Sequence, residues 1–320
     1  MATYGYTLSS EEQAPLDLVR YAVRAEELGF EFASISDHYH PWIARQGQSG
    51  FVWGTLGALS QATKKLGIGT GVTCPLIRIH PAIIAQASAT AATLFQGRFF
   101  LGVGAGENLN EHILGDRWPR AAERLERLEE AIDIIRQLWT GELVSHRGSY
   151  YQVDEAQIFT KPEVPPLMNV AASGEVSATL AATAGDGLVG VSPDSSLIDT
   201  FQQQGGKEKP RYGQVTVCYA ADEKAARTTV REWWPNAGLA GNLSWETKTP
   251  QLFADACQTL STAQIVEDIP CGPDVDAHLS AAQKFIDAGY SHVFFHQIGP
   301  DQDAFLDFYD QQLRDKLPTG

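Results

Sequence analysis

The chain has 320 residues, 43% hydrophobic and 20% charged, the composition of a folded globular protein and not of a disordered one. Its 24 Lys and Arg stand against 39 Asp and Glu, a formal charge of −15 that offers no basic footprint for nucleic acid or an anionic membrane, so neither is expected as a partner. No apolar run approaches the roughly 20 residues that span a bilayer, and the opening MATYGYTLSSEEQAP carries no signal-peptide pattern, so a cytoplasmic location is expected.

Short β-branched or aromatic runs then alternate with helical patterns. TYGYTL (3–8) reads as a strand and PLDLVRYAVRAEELG (15–29) as a helix, with Leu16, Val19, Ala22, Val23 and Leu28 recurring on one face. FEFASISD (30–37) precedes the helical VWGTLGALSQATKK. LGIGTGVTC (66–74) precedes PAIIAQASATAATLF, where Pro81 suits the first turn of a helix. RFFLGVGAG (98–106) precedes the long RAAERLERLEEAIDIIRQLW. LMNVAAS (167–173), GLVGVS (187–192), QVTVCYA (214–220) and SHVFFHQI (291–298) complete eight strand candidates, each followed in time by a helical segment.

Eight successive βα units predict an α/β protein with a (β/α)8 TIM barrel. The competitor, a doubly wound open sheet, needs fewer strands or a second domain, and no Pro/Gly/Ser-rich linker divides the chain. One domain over 1–320 is therefore expected, with two insertions. Residues 141–166 read as a β-hairpin after the fourth helix, and 222–289 hold extra helical material before the last strand. Cys74, Cys218, Cys257 and Cys271 stand far apart without a CxxC, which gives neither a zinc framework nor a disulfide scaffold.

Barrel enzymes carry their chemistry where strands end at the C-terminal rim. After the second strand come Asp37, His38, Tyr39, His40, Pro41 and Trp42. After the third comes Cys74, with Arg78 and His80 close behind. After the fourth comes GAGENLNE, with Glu107, Asn110 and Glu111, and Ser173–Gly174 and Ser192 follow the next two. Each has a plainer reading. His38, His40 and Asp37 lack a further ligand at a recognised spacing, so no metal is expected. Trp42 alone would be a lid for the barrel. GVGAG lacks the GxGxxG spacing of a dinucleotide fingerprint. SGEVSATLAA offers free N–H groups at a helix start, a seat for phosphate, although capping alone also selects Ser and Gly there.

SDHYHPW, GTGVTCP, HPAIIAQASATAATLFQGRFFLGVGAGENLNE and NVAASGEVSATLAATAGDG together resemble the bacterial luciferase-like superfamily. More narrowly they resemble its deazaflavin branch, the enzymes that use coenzyme F420. The F420-dependent glucose-6-phosphate dehydrogenases and secondary alcohol dehydrogenases are the nearest in pattern. The likeness runs over nearly the whole chain and is strongest over 4–112. It implies a TIM barrel, a small-molecule substrate and a homodimer. It implies His38 as the acid/base at a substrate hydroxyl, Trp42 beside the developing charge, and Glu107 in proton exchange with the deazaflavin ring. Asp37, Gly71, Val72, Cys74, Ala105, Gly106, Asn110, Ser173, Gly174, Val176 and Ser177 would line the coenzyme, with a non-prolyl cis peptide at Gly71–Val72.

The implied reaction moves a hydride from a carbinol carbon to the coenzyme while an imidazole takes the hydroxyl proton, help worth about 10²–10⁴ in rate. The substrate positions implied are Val191, Asp194 and Glu267. The last two fall where the sugar-phosphate enzymes carry lysines. A like charge at about 4 Å and an effective dielectric near 20 costs on the order of 4 kcal/mol against a phosphate. The expectation is an uncharged secondary alcohol or sugar-like polyol, unless Lys207 or Lys209 reaches inward. Three other readings stand beside it: a sugar-6-phosphate dehydrogenase, an FMN-dependent monooxygenase of the same superfamily, and a non-catalytic deazaflavin carrier.

Overall fold

The computed structural model describes residues 2–319. Among the described residues there are ten strands: β1 Thr3–Leu8, β2 Phe32–Ile35, β3 Gly67–Thr70, β4 Phe99–Val103, β5 Val144–Arg147, β6 Gln152–Ala156, β7 Leu167–Ala171, β8 Gly187–Gly190, β9 Arg211–Val217 and β10 His292–Gln297. Eight of them form a closed parallel barrel in the order β1-β2-β3-β4-β7-β8-β9-β10, and β10 returns to β1 through pairs such as Tyr4 with Val293. Consecutive strands pair and helices lie between them, which is the (β/α)8 barrel that the alternation predicts.

Side chains alternate across each strand, and the inward set fills the N-terminal end of the barrel with rings. Phe32, Phe100, Tyr212 and Phe294 form one buried cluster, and Phe32 meets Tyr212 edge-on at 5.3 Å. The outward set packs under the helices. On helix Ala121–Trp139 the buried Leu128, Ile132, Ile135 and Trp139 recur three to four residues apart. Trp139 Nε1 donates to the Ala85 carbonyl at 3.2 Å and so ties this helix to Pro81–Phe95.

The strands are mostly shorter than their hydrophobic runs. β2 stops at Ile35 because Ser36 already belongs to the rim, where its hydroxyl meets Ser10 and Glu11. β9 starts three residues earlier than expected, at Arg211, because Tyr212 belongs to the ring cluster. Helix Pro15–Glu27 is turned relative to the face expected of it. Leu18, Tyr21, Ala22 and Ala25 are buried, whereas Leu16 is 86% exposed.

β5 and β6 pair as an antiparallel hairpin, and the segment before β10 holds helices Glu223–Trp233, Leu243–Glu246, Pro250–Cys257, Thr262–Ile265 and Val275–Asp287. No helix among the described residues is long and apolar enough to cross a membrane.

Candidate active site

The C-terminal ends of the barrel strands open on a cleft of about 410 Å³. One wall is nearly bare backbone: Gly71–Val72 beyond β3 and Gly104–Glu107 beyond β4. The Gly71–Val72 peptide is cis. Gly106 holds φ +70°, where a side chain is strained, and a Cβ there would stand 2.4 Å from Cys74 Sγ. A Cβ on Gly104 would stand 2.6 Å from Val72. The other side carries imidazole and indole rings: His38 and Trp42 from the β2 exit, His296 from β10, and Trp234 and Trp245 from the segment that follows β9.

His38 is the best-held group in the cleft. Its Nδ1 lies 3.1 Å from the His40 carbonyl and its Nε2 lies 3.2 Å from Glu11 Oε1. Carbonyls and carboxylates only accept, so Nδ1 carries a proton and Nε2, facing Glu11, carries one in the imidazolium form and is the nitrogen that releases and regains it. The Trp42 ring sits 5.0 Å from the imidazole, centroid to centroid. Gln46 accepts the Trp42 backbone N–H at 2.8 Å and donates to the Trp233 carbonyl at 2.9 Å, joining the two aromatic edges of the cleft.

Glu11 is buried. Burial alone raises a carboxyl pKa, but the facing His38 and the Ser36 hydroxyl outweigh it and leave the value lowered, so Glu11 is an anion at neutral pH. Neither Glu11 nor Ser36 figures among the expected site residues. A signal existed in SSEEQAP, an acidic pair at the exit of β1.

Several residues expected to line the coenzyme stand behind the bare wall instead of on it. Asp37 has no exposed side-chain surface; Oδ1 takes Arg78 Nη2 at 2.8 Å and Oδ2 takes the Thr73 hydroxyl. Arg78 also faces Glu111, whose carboxylate accepts the Ile77 and Arg78 backbone N–H groups at 3.0 and 2.8 Å. Burial raises the Glu111 carboxyl above its ordinary value. Burial likewise keeps the Cys74 thiol protonated, with the Glu111 charge adding to the effect. Asn110, also buried, accepts from the Tyr39 and His40 N–H groups at 2.9 and 3.2 Å and donates to Glu107 Oε2 at 3.3 Å. It thereby joins the His38 loop to the Glu107 wall.

Gly71, Val72, Ala105, Gly106, Glu107, Ser173 and Ser177 do line the cleft. Gly174 caps helix Glu175–Ala184 without a side-chain bond to the first turn, so that turn keeps its N–H groups free at the cleft edge. Val176 is 68% exposed and stands outside the lining.

Of the expected substrate positions, Val191 lines the cleft, while Asp194 and Glu267 do not. Asp194 is the N-cap of helix Ser195–Phe201, accepting from Ser196 N at 2.9 Å, and Glu267 lies exposed beyond Thr262–Ile265. The carboxylates are therefore not set to repel a ligand in the cleft. Lys209 and Lys207 do not enter it either. Lys209 Nζ donates to the Ala182 and Gly185 carbonyls just before β9 begins, at the opposite end of the barrel. Among the residues lining the cleft, Arg124 is the one Lys or Arg. Its Nη1 is committed to the Pro119 carbonyl at 2.8 Å and to Glu246 at 3.0 Å.

Residues 2–289 match the family model for luciferase-like monooxygenases. The chain is 35% identical to an F420-dependent glucose-6-phosphate dehydrogenase of Microbacterium testaceum, over 98% of this chain and 97% of the relative. It is 37% identical to an F420-dependent hydroxymycolic acid dehydrogenase of Mycobacterium tuberculosis, over 98% and 88%. Its structure is similar to that of an F420-dependent secondary alcohol dehydrogenase in complex with an F420-acetone adduct, with a TM-score of 0.90 at 29% identity and 98% of each chain covered.

Proposed function

The chain belongs to the luciferase-like monooxygenase family, among its F420-dependent dehydrogenases, and we propose that it moves hydride between coenzyme F420 and the carbinol carbon of an uncharged alcohol, with His38 as acid/base. The observation that carries this reading is the Glu11–His38 pair opening into the same cleft as Trp42 and Glu107.

The site fits the coenzyme. A planar ring needs a wall of small residues, and Gly71–Val72 and Gly104–Gly106 form one, with Val72 and Ala105 as its only side chains. The anionic tail needs N–H donors, which the first turn of helix Glu175–Ala184 supplies next to Ser173 and Ser177. Asp37, Cys74 and Asn110 brace that wall from behind. When bound, the coenzyme supplies the electrophilic carbon that accepts hydride.

The chain's own groups handle the proton. In alcohol oxidation His38 Nε2 takes the hydroxyl proton, and the Glu11 carboxylate 3.2 Å away stabilises the imidazolium. Nδ1 stays bound to the His40 carbonyl, so the ring keeps its orientation as the proton is transferred. Glu107, oriented by Asn110, is the group that exchanges a proton on the coenzyme side. The indole of Trp42 packs at a tilt beside the imidazole.

The lining supports an uncharged substrate. A phosphate dianion is best held by several free cations, and the lining has a single one, Arg124, whose Nη1 is spent on the Pro119 carbonyl and Glu246 while its Nε has no partner. The names of the 35% identical relatives favour a phosphorylated sugar, and the composition of this cleft does not. Initial rates of F420 reduction with isopropanol, a neutral sugar and glucose 6-phosphate at fixed ionic strength test the choice. A clear preference for the phosphate ester refutes it.

A further inference from the structure

The rim holds two carboxylate–histidine pairs, and only Glu11–His38 has been given a task. The second is Glu12–His296. Glu12 Oε1 accepts the Gly299 N–H at 2.8 Å, and Oε2 faces His296 Nε2 at 3.4 Å. Both side chains are almost fully buried, at 0% and 2% exposure. The register of β10 aims His296 into the barrel. His292 and Phe294 meet the inward-facing Phe32, and His296 follows at the same two-residue interval, one layer nearer the rim. There it lines the cleft, with the Trp234 ring packed edge-on against it at 4.4 Å.

The two nitrogens of this ring differ. Nε2 points at a carboxylate, so it carries the proton. Nδ1 is then an acceptor, and it has no hydrogen-bond partner among the described residues although it is buried. A buried acceptor in a cleft wall is costly unless a ligand satisfies it. The ligand group it fits is a donor, which distinguishes a hydroxyl from a carbonyl or an ether. His296 and His38 face one cleft, each held by one of two neighbouring carboxylates, Glu12 and Glu11.

We infer that His296 Nδ1 accepts a hydrogen bond from a second hydroxyl of the substrate, so that the enzyme selects diols and polyols over simple alcohols. The inference rests on the dehydrogenase reading for its chemistry, with His38 at the reacting hydroxyl and His296 at its companion. It makes His296 a specificity-determining residue.

The test varies the ligand before the protein. With F420 in excess, kcat/KM is compared for propylene glycol, sorbitol, propylene glycol monomethyl ether and isopropanol. One satisfied buried acceptor is worth about tenfold, so the better of the two polyols is expected to exceed isopropanol and the ether by that factor. In His296→Phe, which keeps ring volume but accepts no hydrogen bond, the ratio of polyol to ether falls to about one, whatever the absolute rate. Polyol and ether binding to wild type, read by tryptophan fluorescence without turnover, is measured in parallel.

Equal kcat/KM for polyols and isopropanol in the wild type overturns the inference while leaving the dehydrogenase reading intact, and needs no folded variant. A polyol-to-ether ratio that survives in His296→Phe also overturns it. Tighter binding of the polyol than of the ether, lost in the variant, with no F420 reduction by any alcohol, supports the hydroxyl site and refutes the dehydrogenase reading. Failure of both turnover and polyol-selective binding refutes both.

Discussion

His38 has one ring nitrogen fixed on a carbonyl and the other facing a carboxylate, and this division of labour sets what its removal does. His38→Ala takes away the proton acceptor but none of the bare wall, so turnover is expected to fall by about two orders of magnitude or more while F420 affinity stays near wild type. Fluorescence titration of the coenzyme beside steady-state rates checks both halves, and a wild-type rate in the variant refutes the assignment. Glu11→Gln acts differently, because it removes an anion that the structure keeps ionised despite its burial. A nearby anion favours the imidazolium, and its loss favours the neutral ring that abstracts a proton. The acid limb of the kcat/KM profile for alcohol oxidation is therefore expected to move to lower pH in Glu11→Gln. A limb that stays in place, or moves to higher pH, rules out electrostatic support of His38 by Glu11.

At the scale of elements, Glu130 of helix Ala121–Trp139 fastens the turn of the hairpin β5–β6, beside Glu126, which accepts from the Tyr150 hydroxyl. Glu130 accepts the Ser149, Tyr150 and Tyr151 backbone N–H groups at 3.1, 3.1 and 2.9 Å, and faces His146 at 3.1 Å. Partial burial works to raise its carboxyl, but the Tyr151 N–H, His146 and the Tyr150 N–H outweigh it and hold the pKa below the ordinary 4.5. A depressed carboxyl stabilises above its unfolded pKa, and that contribution is lost as pH falls through the folded value. The hairpin is thus expected to be fully fastened at neutral pH and to loosen only as pH falls below the ordinary carboxyl range, through the depressed Glu130 value. Glu130→Ala should release it at pH 7, with hydrogen exchange at Ser149–Tyr151 faster by at least about tenfold, from the roughly 1–3 kcal/mol lost when such bonds are left unmade. Unchanged protection there would mean that β-pairing and the Tyr150 and Tyr151 hydroxyl bonds hold the turn without Glu130.

The hairpin itself is legible in GELVSHRGSYYQVDEAQIF as two runs about a turn, and the eight barrel strands are legible because each run alternates with a helical period. The elements that positioned the site were harder to read. SSEEQAP looks like an acidic helix start, and nothing local says that Glu11 meets His38 or that Glu12 meets His296 across the closing seam of the barrel. Asp37 was legible as a rim residue but not as a buried partner of Arg78, since that pairing depends on how the β3 loop folds back. Asp194 was misplaced because capping its own helix satisfies it first.

For the whole molecule the governing quantity is the charge of −15, spread over a protein whose coenzyme is itself polyanionic. At long range the two repel, and the repulsion reaches about 30 Å at 0.01 M salt but only about 10 Å at 0.1 M. At short range the free N–H groups at the start of helix Glu175–Ala184 attract the same anion, over a distance of one helical turn that salt barely screens. The two effects act at different stages of binding. Salt should therefore raise the association rate of F420, through screening of the approach, and leave dissociation from the seated complex nearly unchanged. An uncharged alcohol does not feel the field, so its KM is expected to be flat over the same range. Stopped-flow mixing with F420 from about 0.01 to 0.3 M salt, a span over which the screening length falls several-fold, reads the rates directly. An association rate that falls with added salt would reveal a basic approach path strong enough to overcome the net charge and would refute this account of how the coenzyme arrives.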